Sequence, residues 1–207
     1  MTVLHLAPSQ AALATTVLCA AFAEYPVMRH VLSSVAGYGA RLRTLIGFFV
    51  AARYLRRDAV LGILDSGNQP LAVALVTLPG DLPPPAELTA HRESVWQELG
   101  SHERARYESY GTLAGQLLEG LESHHHLNMI GVHPTQVGRG LGRRLLEHVH
   151  SLAQADPSST GVSLTTETDQ NRALYRHFGY REIGHGRVSQ NLETWAFFRP
   201  HSAAVGT

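Results

Sequence analysis

The sequence predicts an α+β protein with about seven strands and helices around them. Two observations over the 207-residue chain favour this class. In the first half, two stretches with helical periodicity precede a pair of short apolar runs separated by a turn. In the second half, strand-like and helix-like stretches alternate before two closing strands. No internal repeat is visible, so we expect a single domain over residues 1–207.

The N-terminal part is predicted to be helical after one strand. Residues 2–6 are expected to form that strand and residues 9–24 a first helix, with Ser9 as its N-cap. Cys19 lies in the apolar stretch of this helix and is expected in the core. A second helix is predicted over residues 38–55, because apolar residues recur at helical spacing. They are Leu42, Leu45, Ile46, Phe49 and Val50.

The hydrophobic period then changes from that of a helix to that of a strand. Residues 59–64 and 70–78 are apolar runs separated by Asp-Ser-Gly-Asn, which predicts a β-hairpin whose second strand is buried on both faces. A proline-rich loop over residues 80–85 follows. Two polar helices are then predicted over residues 86–99 and 101–121, as a substrate lid or an insert packed between lobes.

The second half begins with a strand, a turn and a helix. The strand is predicted over residues 126–132 and the glycine-rich turn over residues 136–142. The helix continues to Ala155, before Pro157 stops it. Its apolar face consists of Leu141, Leu145, Leu146, Val149 and Leu152.

The chain then returns to strands around one short helix. A strand is predicted over residues 161–166 and the helix over residues 170–178, with Asp169 as its N-cap. Residues 180–185 and 191–198 are expected to close the chain as a hairpin.

The composition excludes several enzyme classes. All 17 basic residues are arginine, and lysine is absent. Enzymes that form a Schiff base on lysine, such as pyridoxal-phosphate enzymes and lysine-dependent aldolases, are therefore excluded. Phosphate-loop NTPases and kinases are excluded as well, because they contact nucleotide phosphates through a lysine. The formal net charge of +0 argues against a nucleic-acid partner.

Cys19 is the single cysteine, which excludes an intrachain disulfide and favours a reduced, cytoplasmic compartment. Residues 11–23 are apolar enough to look like the core of a signal peptide, yet the first arginine is Arg29, so no positive flank precedes them. The stretch is also too short to span a bilayer. We therefore expect a buried first helix and no membrane partner.

The motif Gly138-Arg139-Gly140-Leu141-Gly142 follows an apolar strand and begins an amphipathic helix. Glycines let successive N–H groups point toward one concavity, and the helix N-terminus adds partial positive charge there. No acidic residue lies among residues 123–146, whereas three arginines do. These features predict a pyrophosphate-binding turn.

Two alternatives remain open for this turn. The first is a turn that connects strand and helix and binds no ligand. The second is a dinucleotide site, which requires Gly-x-Gly-x-x-Gly and an acidic residue on the next strand. The spacing here is Gly-x-Gly-x-Gly, although Glu167 does end the next predicted strand.

Two longer motifs follow one another in this half. The first is Ile130-Gly-Val132-His-Pro with the turn over residues 137–142, and the second is Asn171-Arg-Ala-Leu-Tyr175-Arg-His-Phe-Gly-Tyr180. They resemble the acetyl-coenzyme A signature Q/R-x-x-G-x-G/A and the Asn-x-x-x-Tyr helix of the GCN5-related N-acetyltransferase (GNAT) family. The resemblance covers roughly residues 124–180 and is similar to the puromycin N-acetyltransferase-like branch.

The resemblance implies a central mixed, mostly antiparallel sheet flanked by helices, with a cofactor-binding core at about residues 124–180. It also implies acetyl-coenzyme A as co-substrate, no metal, and direct transfer of acetyl to an amine of a small molecule or peptide. Main-chain groups of Ile130 and Val132 would bind the pantetheine arm. The pyrophosphate would be bound by the amides of Val137, Gly138, Arg139, Gly140, Leu141 and Gly142, and by the Arg143 side chain. Val137 stands where the family usually has Gln or Arg. This departure should cost some polar anchoring but not cofactor binding, because the turn binds mainly through its backbone.

Roles on the short helix also follow from the resemblance. Asn171 would contact the pantetheine region, and the Tyr175 hydroxyl would protonate the departing thiolate. An ordinary phenol has a pKa of about 10 and stays protonated at neutral pH. Core packing is the alternative for Tyr175. Arg172 and Arg176 are expected either to contact the cofactor phosphates or to face solvent.

The general base is less well defined by the sequence. An amine attacks only when uncharged, which requires a proton acceptor. Glu167 is the candidate, with Glu193 or His185 on the closing hairpin as alternatives. Related branch members often carry Glu where this chain has Thr165. The acceptor pocket is expected to involve residues 25–37, 82–121 and 186–190.

The run His124-His125-His126 does not predict a metal site, because adjacent strand residues point to opposite faces. Trp195 is expected to pack or to line the acceptor pocket. Two other functions remain open: a non-catalytic acyl-coenzyme A sensor, and a protein that binds NAD or FAD. A homodimer also remains open.

Overall fold

The computed structural model describes residues 1–33, 36–80 and 83–201, which form seven strands and seven α-helices. The strands are β1 Val3–His5, β2 Ala59–Leu64, β3 Pro70–Thr77, β4 His125–Val132, β5 Gly161–Thr166, β6 Arg181–Ser189 and β7 Leu192–Pro200. The helices are α1 Ala11–Phe22, α2 Pro26–Leu32, α3 Tyr38–Leu55, α4 Ala86–Leu99, α5 Ser101–Gln116, α6 Leu141–Ala155 and α7 Asp169–His177.

All seven strands belong to one sheet in the order β1-β2-β3-β4-β5-β7-β6. Every neighbouring pair is antiparallel except β4 and β5, which run parallel. The predicted α+β class with a mixed, mostly antiparallel sheet is confirmed. A doubly wound parallel sheet, which the dinucleotide alternative requires, is not the architecture of the described residues.

Helices cover both faces of the sheet. Side chains alternate along β3, so that Val73 and Leu75 pack with α1 and α3 while Ala74 and Val76 pack with α6. The prediction that this strand is buried on both faces is confirmed. The residues on the two faces form two separate apolar clusters, with the sheet between them.

The C-terminal end of α1 packs directly on β4. A Cβ atom at Gly131 would lie 2.8 Å from the Cβ of Ala21, so the helix approaches this closely only because residue 131 is glycine. This contact places the segment that follows α1, including Tyr25, beside β4.

The N-terminal prediction was wrong in two details. Ser9 is not an N-cap, because residues Pro8–Gln10 form a 3₁₀ turn and α1 begins at Ala11. Helix α2 was not predicted, since seven residues are too few to show a helical period. Cys19 lies on α1 and is half-buried.

Several boundaries also differ in the second half. Helix α5 ends at Gln116, and the closing hairpin extends over Arg181–Ser189 and Leu192–Pro200. Asp169 is the first residue of α7, and the N-cap is Thr168, whose Oγ1 accepts a hydrogen bond from the Asn171 amide at 3.2 Å. Residues 34–35 of the expected pocket wall and 81–82 of the proline-rich loop lie outside the described residues.

No single helix among the described residues is long and apolar enough to cross a membrane. By length and composition alone, the pair Pro8–Phe22 and Pro26–Leu32 passes the same test, but it is bent by 100° at its break.

We expect Gly161→Ala to destabilise the fold. A Cβ at this position would lie 2.3 Å from the Arg199 carbonyl oxygen on β7, a backbone atom that moves only if the two strands separate. Overpacking of this kind lowers the free energy of unfolding by about 2 kcal/mol or more, measurable by urea denaturation.

Gly47→Ala in the middle of α3 is the matched control. Its Cβ would meet only Thr15 Cγ2 at 3.9 Å, an ordinary contact. This variant should gain about 0.5–1 kcal/mol from helix propensity. Equal stability of the two variants would contradict the register of β5 and β7.

Candidate active site

Strands β4 and β5 separate soon after they begin. Their pairing consists of His125 with Val162 and His126 with Ser163. Beyond these pairs the described residues provide no strand partner for the β5-facing edge of β4, which exposes main-chain hydrogen-bonding groups there. The separation creates an opening in the middle of the sheet.

A β-bulge lies at the start of this opening. Leu75 pairs with Met129 and Val76 with Leu127, so Asn128 is the extra residue on β4. The Asn128 side chain accepts hydrogen bonds from Arg53 and from Thr77, both at 2.8 Å. A bulge bends its strand, which here accompanies the divergence of β4 from β5.

A cavity of about 750 Å³ occupies the opening. Its lining comes from strand β4, the end of β5 and helices α1, α2, α3, α5 and α7. Of the residues predicted for the site, the lining includes Ile130, Val132, Val137, Glu167, Asn171 and Tyr175. The structure thus brings both motifs to one cavity.

The glycine-rich turn lies at the mouth of this cavity, next to Val137. Gly138 and Gly140 have φ angles of +85° and +73°, values in the left-handed region that favours glycine. The amides of residues 138–143 find no acceptor among the described residues. Together with the N-terminus of α6, these amides fit an anionic group such as a pyrophosphate.

The arginines of this turn have protein partners. Arg139 donates to Gln136, and Arg143 forms an ion pair with Glu147 at 2.7 Å. Both are exposed, so the predicted side-chain contact from Arg143 requires it to leave Glu147. The backbone amides therefore offer the more direct anion site.

Helix α7 is fixed at both ends, which orients Tyr175. Thr168 caps the first turn, and at the other end Gly179 has a φ of +83° while the Tyr180 amide donates to the Tyr175 carbonyl at 3.1 Å. The Tyr175 side chain is 7% exposed and packs against Tyr180, with ring centroids 5.6 Å apart. Its hydroxyl forms no hydrogen bond with the described residues, and burial raises its pKa above the ordinary value. The phenol is therefore held protonated beside the cavity.

Tyr25 begins the range 25–37 that was expected in the acceptor pocket, and it does line the cavity, but its individual role was not predicted. Its hydroxyl lies 3.0 Å from Thr166 Oγ1 and accepts hydrogen bonds from the Glu167 amide at 3.3 Å and from Asn171 Nδ2 at 3.4 Å. No motif marks this tyrosine, which stands 141 residues before Thr166 in the chain. Burial raises its pKa, so it too stays protonated.

Glu167 lies at the centre of the cavity wall. Its Oε1 accepts hydrogen bonds from the Tyr110 hydroxyl at 2.9 Å and from Thr194 Oγ1 at 2.8 Å. Tyr110 belongs to α5, another element with no recognisable motif, and its hydroxyl also lies 3.1 Å from Thr165 Oγ1. Burial raises the pKa of Glu167, and its hydrogen bonds with Thr194, Tyr110 and Tyr25 partly offset that rise. No cation among the described residues forms an ion pair with it.

The other predicted candidates lie outside the cavity. Glu193 forms an ion pair with Arg187 at 2.8 Å, and its other carboxylate oxygen lies 3.4 Å from His185 Nε2. Trp195 stacks on His185 with ring centroids 5.0 Å apart, so it packs and does not line the pocket. The expected contribution of residues 186–190 to the pocket was also wrong.

Arg172 and Arg176 both form ion pairs with Glu182, at 3.2 and 2.6 Å, and Arg176 also faces solvent, which was one of the two predicted alternatives. The three adjacent histidines have separate partners, as their alternation on a strand requires. These partners are the Glu122 carbonyl for His124, Ser159 for His125 and Ser163 for His126.

Residues 99–182 match the family model described as acetyltransferase (GNAT) domain. The chain matches none of the curated proteins with which it was compared. Among solved structures, it is similar to one from Corynebacterium glutamicum described as histone acetyltransferase HPA2 and related acetyltransferase, with 19% identity and a TM-score of 0.71. That similarity covers 99% of this chain and 98% of the other.

Two further structures have the same fold. Polyamine N-acetyltransferase from Drosophila melanogaster is 16% identical with a TM-score of 0.68, covering 97% of this chain and 99% of the other. The ribosomal-protein-S18-alanine N-acetyltransferase from Escherichia coli is 15% identical with a TM-score of 0.57, covering 98% of this chain and 95% of the other. The chain therefore has the GNAT fold, and the domain match together with these neighbours supports an acetyltransferase enzyme.

Proposed function

We propose that this protein is an acetyl-coenzyme A-dependent N-acetyltransferase that transfers acetyl directly to an amine of a small molecule or peptide. One observation carries the proposal. The unpaired edge of β4, the free amides of the glycine turn, a protonated tyrosine and a buried glutamate all meet at one cavity. The neighbours act by name on polyamine and on protein alanine, which is why the acceptor class is proposed broadly at this step.

The residues present fit coenzyme A. Main-chain groups of Ile130 and Val132 lie on the β4 edge that β5 leaves without a strand partner, where they can bind an amide-containing arm. The amides of residues 138–142 would bind the pyrophosphate, whereas the predicted Val137 amide already donates to the Pro134 carbonyl at 3.5 Å. Arg143 would add a charge there on leaving Glu147. Asn171 lines the same cavity and is oriented by its hydrogen bond to Tyr25. When bound, acetyl-coenzyme A supplies the thioester carbonyl that the amine attacks.

Glu167 acts as the general base in this proposal. The hydroxyls of Tyr110 and Thr194 both donate to Oε1, which leaves Oε2 to take a proton from the acceptor ammonium. A carboxyl whose pKa is raised by burial is a stronger proton acceptor than an exposed one once it is ionised. Tyr110 and Thr194 hold the carboxylate in one orientation.

Tyr175 acts as the general acid. Its hydroxyl has no partner among the described residues, so its proton is available to the sulfur that leaves. Direct transfer is favoured because neither a cysteine nor a lysine is among the described residues that line the cavity. Lysine is absent, and Cys19 is half-buried on α1 and does not line the cavity. Assignment to the puromycin N-acetyltransferase-like branch stays a prediction.

Acetyl-coenzyme A should stabilise the protein, whereas NAD and FAD should not. At a concentration of 100 times the dissociation constant, a ligand that binds only the folded state adds about 2.7 kcal/mol, which thermal shift detects. Gly140→Val should abolish most of this shift, because a β-branched residue at a φ of +73° strains the turn that presents the amides. Stabilisation by NAD alone would contradict the cofactor assignment.

Tyr175→Phe should lower kcat by about 10²-fold or more while acetyl-coenzyme A still stabilises the protein, because only the donated proton is lost. Thiol release with a chromogenic reagent measures the rate. Cys19→Ala is the control and should retain full turnover. A protein that binds acetyl-coenzyme A but never releases thiol, before or after the Tyr175 change, would be a sensor and not an enzyme.

The pH profile of kcat should show the protonation of the Glu167 carboxyl. Activity is expected to fall as pH decreases through a midpoint above 4.5, the ordinary pKa of glutamate, because the protonated carboxyl cannot accept the amine proton. Tyr110→Phe should move this midpoint upward, since the lost hydrogen bond stabilised the carboxylate. Glu167→Gln should lower kcat by about 10²-fold or more and remove the acidic limb. An unchanged limb in the Gln variant would assign the base to another group.

A further inference from the structure

We propose that the acceptor is a small amine with a single positive charge and an uncharged, apolar or aromatic body. This inference rests on the proposed function and narrows its substrate class. It follows from the charges and the shape of the acceptor end of the cavity, the part bounded by α2, α3 and α5.

The lining carries very few charges. Among the described residues that line the cavity, Glu167 is the only acid and Arg53 the only arginine. His126 also lines it, but burial lowers its pKa to about 4, so it is neutral near pH 7. Glu167 is therefore the one anion that can hold an ammonium group, and it is occupied by the amine that reacts.

Arg53 discriminates against a second positive charge. Its guanidinium is held in place by hydrogen bonds to Thr77 and Asn128 and by an ion pair with Asp58 at 3.4 Å. A second ammonium on the acceptor would meet this fixed cation, while Asp58 is already paired with Arg53 and is not among the described residues that line the cavity. An unpaired buried charge is strongly disfavoured, so di- and polyamines should bind poorly.

The rest of the acceptor end is apolar and aromatic. Its surface is formed by side chains of three helices. They are Val27, Met28, Val31, Phe49, Tyr107 and Ala114. Tyr107 stacks on Phe49 with ring centroids 5.8 Å apart, which presents flat aromatic surface to the acceptor body. Apolar groups of an acceptor gain free energy by leaving water here.

At the acceptor end, helices α2 and α5 are in direct contact, which favours a small molecule over a polypeptide as the acceptor. Helices α2 and α5 are joined by a hydrogen bond from Arg106 Nε to the Val31 carbonyl at 2.9 Å. Tyr110 on α5 reaches across to Glu167. A polypeptide acceptor needs an open groove for the residues that follow its terminal amine, and a direct contact between α2 and α5 leaves less room for such a groove.

Two amines of equal length test whether a second positive charge on the acceptor is disfavoured. Hexylamine and cadaverine differ in a terminal methyl against a terminal ammonium. We expect kcat/KM for thiol release to be at least about tenfold higher with hexylamine, a difference of about 1.4 kcal/mol. Phenylethylamine should be acetylated at least as well as hexylamine, because the acceptor end offers aromatic surface. Equal or faster turnover of cadaverine would overturn the inference.

Two substitutions at Ala114 on α5, one charged and one neutral, test the same expectation from the side of the protein. Ala114 is half-buried, lines the cavity and lies one helical turn beyond Tyr110. Ala114→Glu should raise kcat/KM for cadaverine relative to hexylamine at least about fivefold, whereas Ala114→Gln, of the same size, should not. The same ratio in both variants would overturn the inference.

Thermal shift and thiol release, measured together, distinguish a failure of this inference from a failure of the proposed function. Stabilisation by acetyl-coenzyme A without acetylation of either monoamine would overturn the substrate class alone. Absence of both stabilisation and thiol release with every amine would overturn the proposed function and the inference with it.

Discussion

The separation of β4 from β5 is the constraint on which the rest of the site depends. Two residue pairs join these parallel strands, and the bulge at Asn128 bends β4 away immediately afterwards. An open sheet edge in the middle of a protein leaves main-chain groups without partners, which is unfavourable unless a ligand or water satisfies them. The surrounding structure stabilises this arrangement. Asn128 is bound by Arg53 and Thr77, Arg53 is paired with Asp58, and Gly131 allows α1 to pack against the open strand.

Hydroxyl groups from distant parts of the chain then organise the carboxylate that faces this opening. Tyr110 comes from α5 and Thr194 from β7, and both donate to one oxygen of Glu167. Tyr25, beside α2, binds the Glu167 amide and Asn171. Because these hydrogen bonds stabilise the ionised carboxylate while burial opposes it, the pKa of Glu167 reflects a balance between packing and polar contacts. The helices between β3 and β4 therefore shape the chemistry of the site as well as its walls.

Local patterns in the sequence predicted the secondary-structure elements on the proposed cofactor side of the site. The glycine turn, the Asn171 and Tyr175 pair and the exact bounds of α3, α4 and β5 all depend on neighbours in the chain, and spacing reveals them. The acceptor side was not predictable in the same way. Tyr25 and Tyr110 act through contacts with residues 141 and 57 positions away, and a tyrosine on a short or polar helix carries no signal of such a partner. In sequence, Glu193 and His185 were the alternatives to Glu167 as the base, yet β7 and β6 place them beside each other and Glu193 beside Arg187 at the edge of the sheet.

The absence of lysine affects the reaction itself. The charges that lysine would supply are guanidinium groups here, and many of them are engaged, as Arg53 is with Asp58 and Arg172 with Glu182. A guanidinium remains protonated at any pH the enzyme meets and is not an amine nucleophile. The 207 residues therefore carry no side-chain amine that competes with the acceptor for the acetyl group. Steady thiol release without an added amine would report hydrolysis, so water entering the cavity can be measured apart from transfer. The aromatic and aliphatic walls around Glu167 are what should keep that hydrolysis slow.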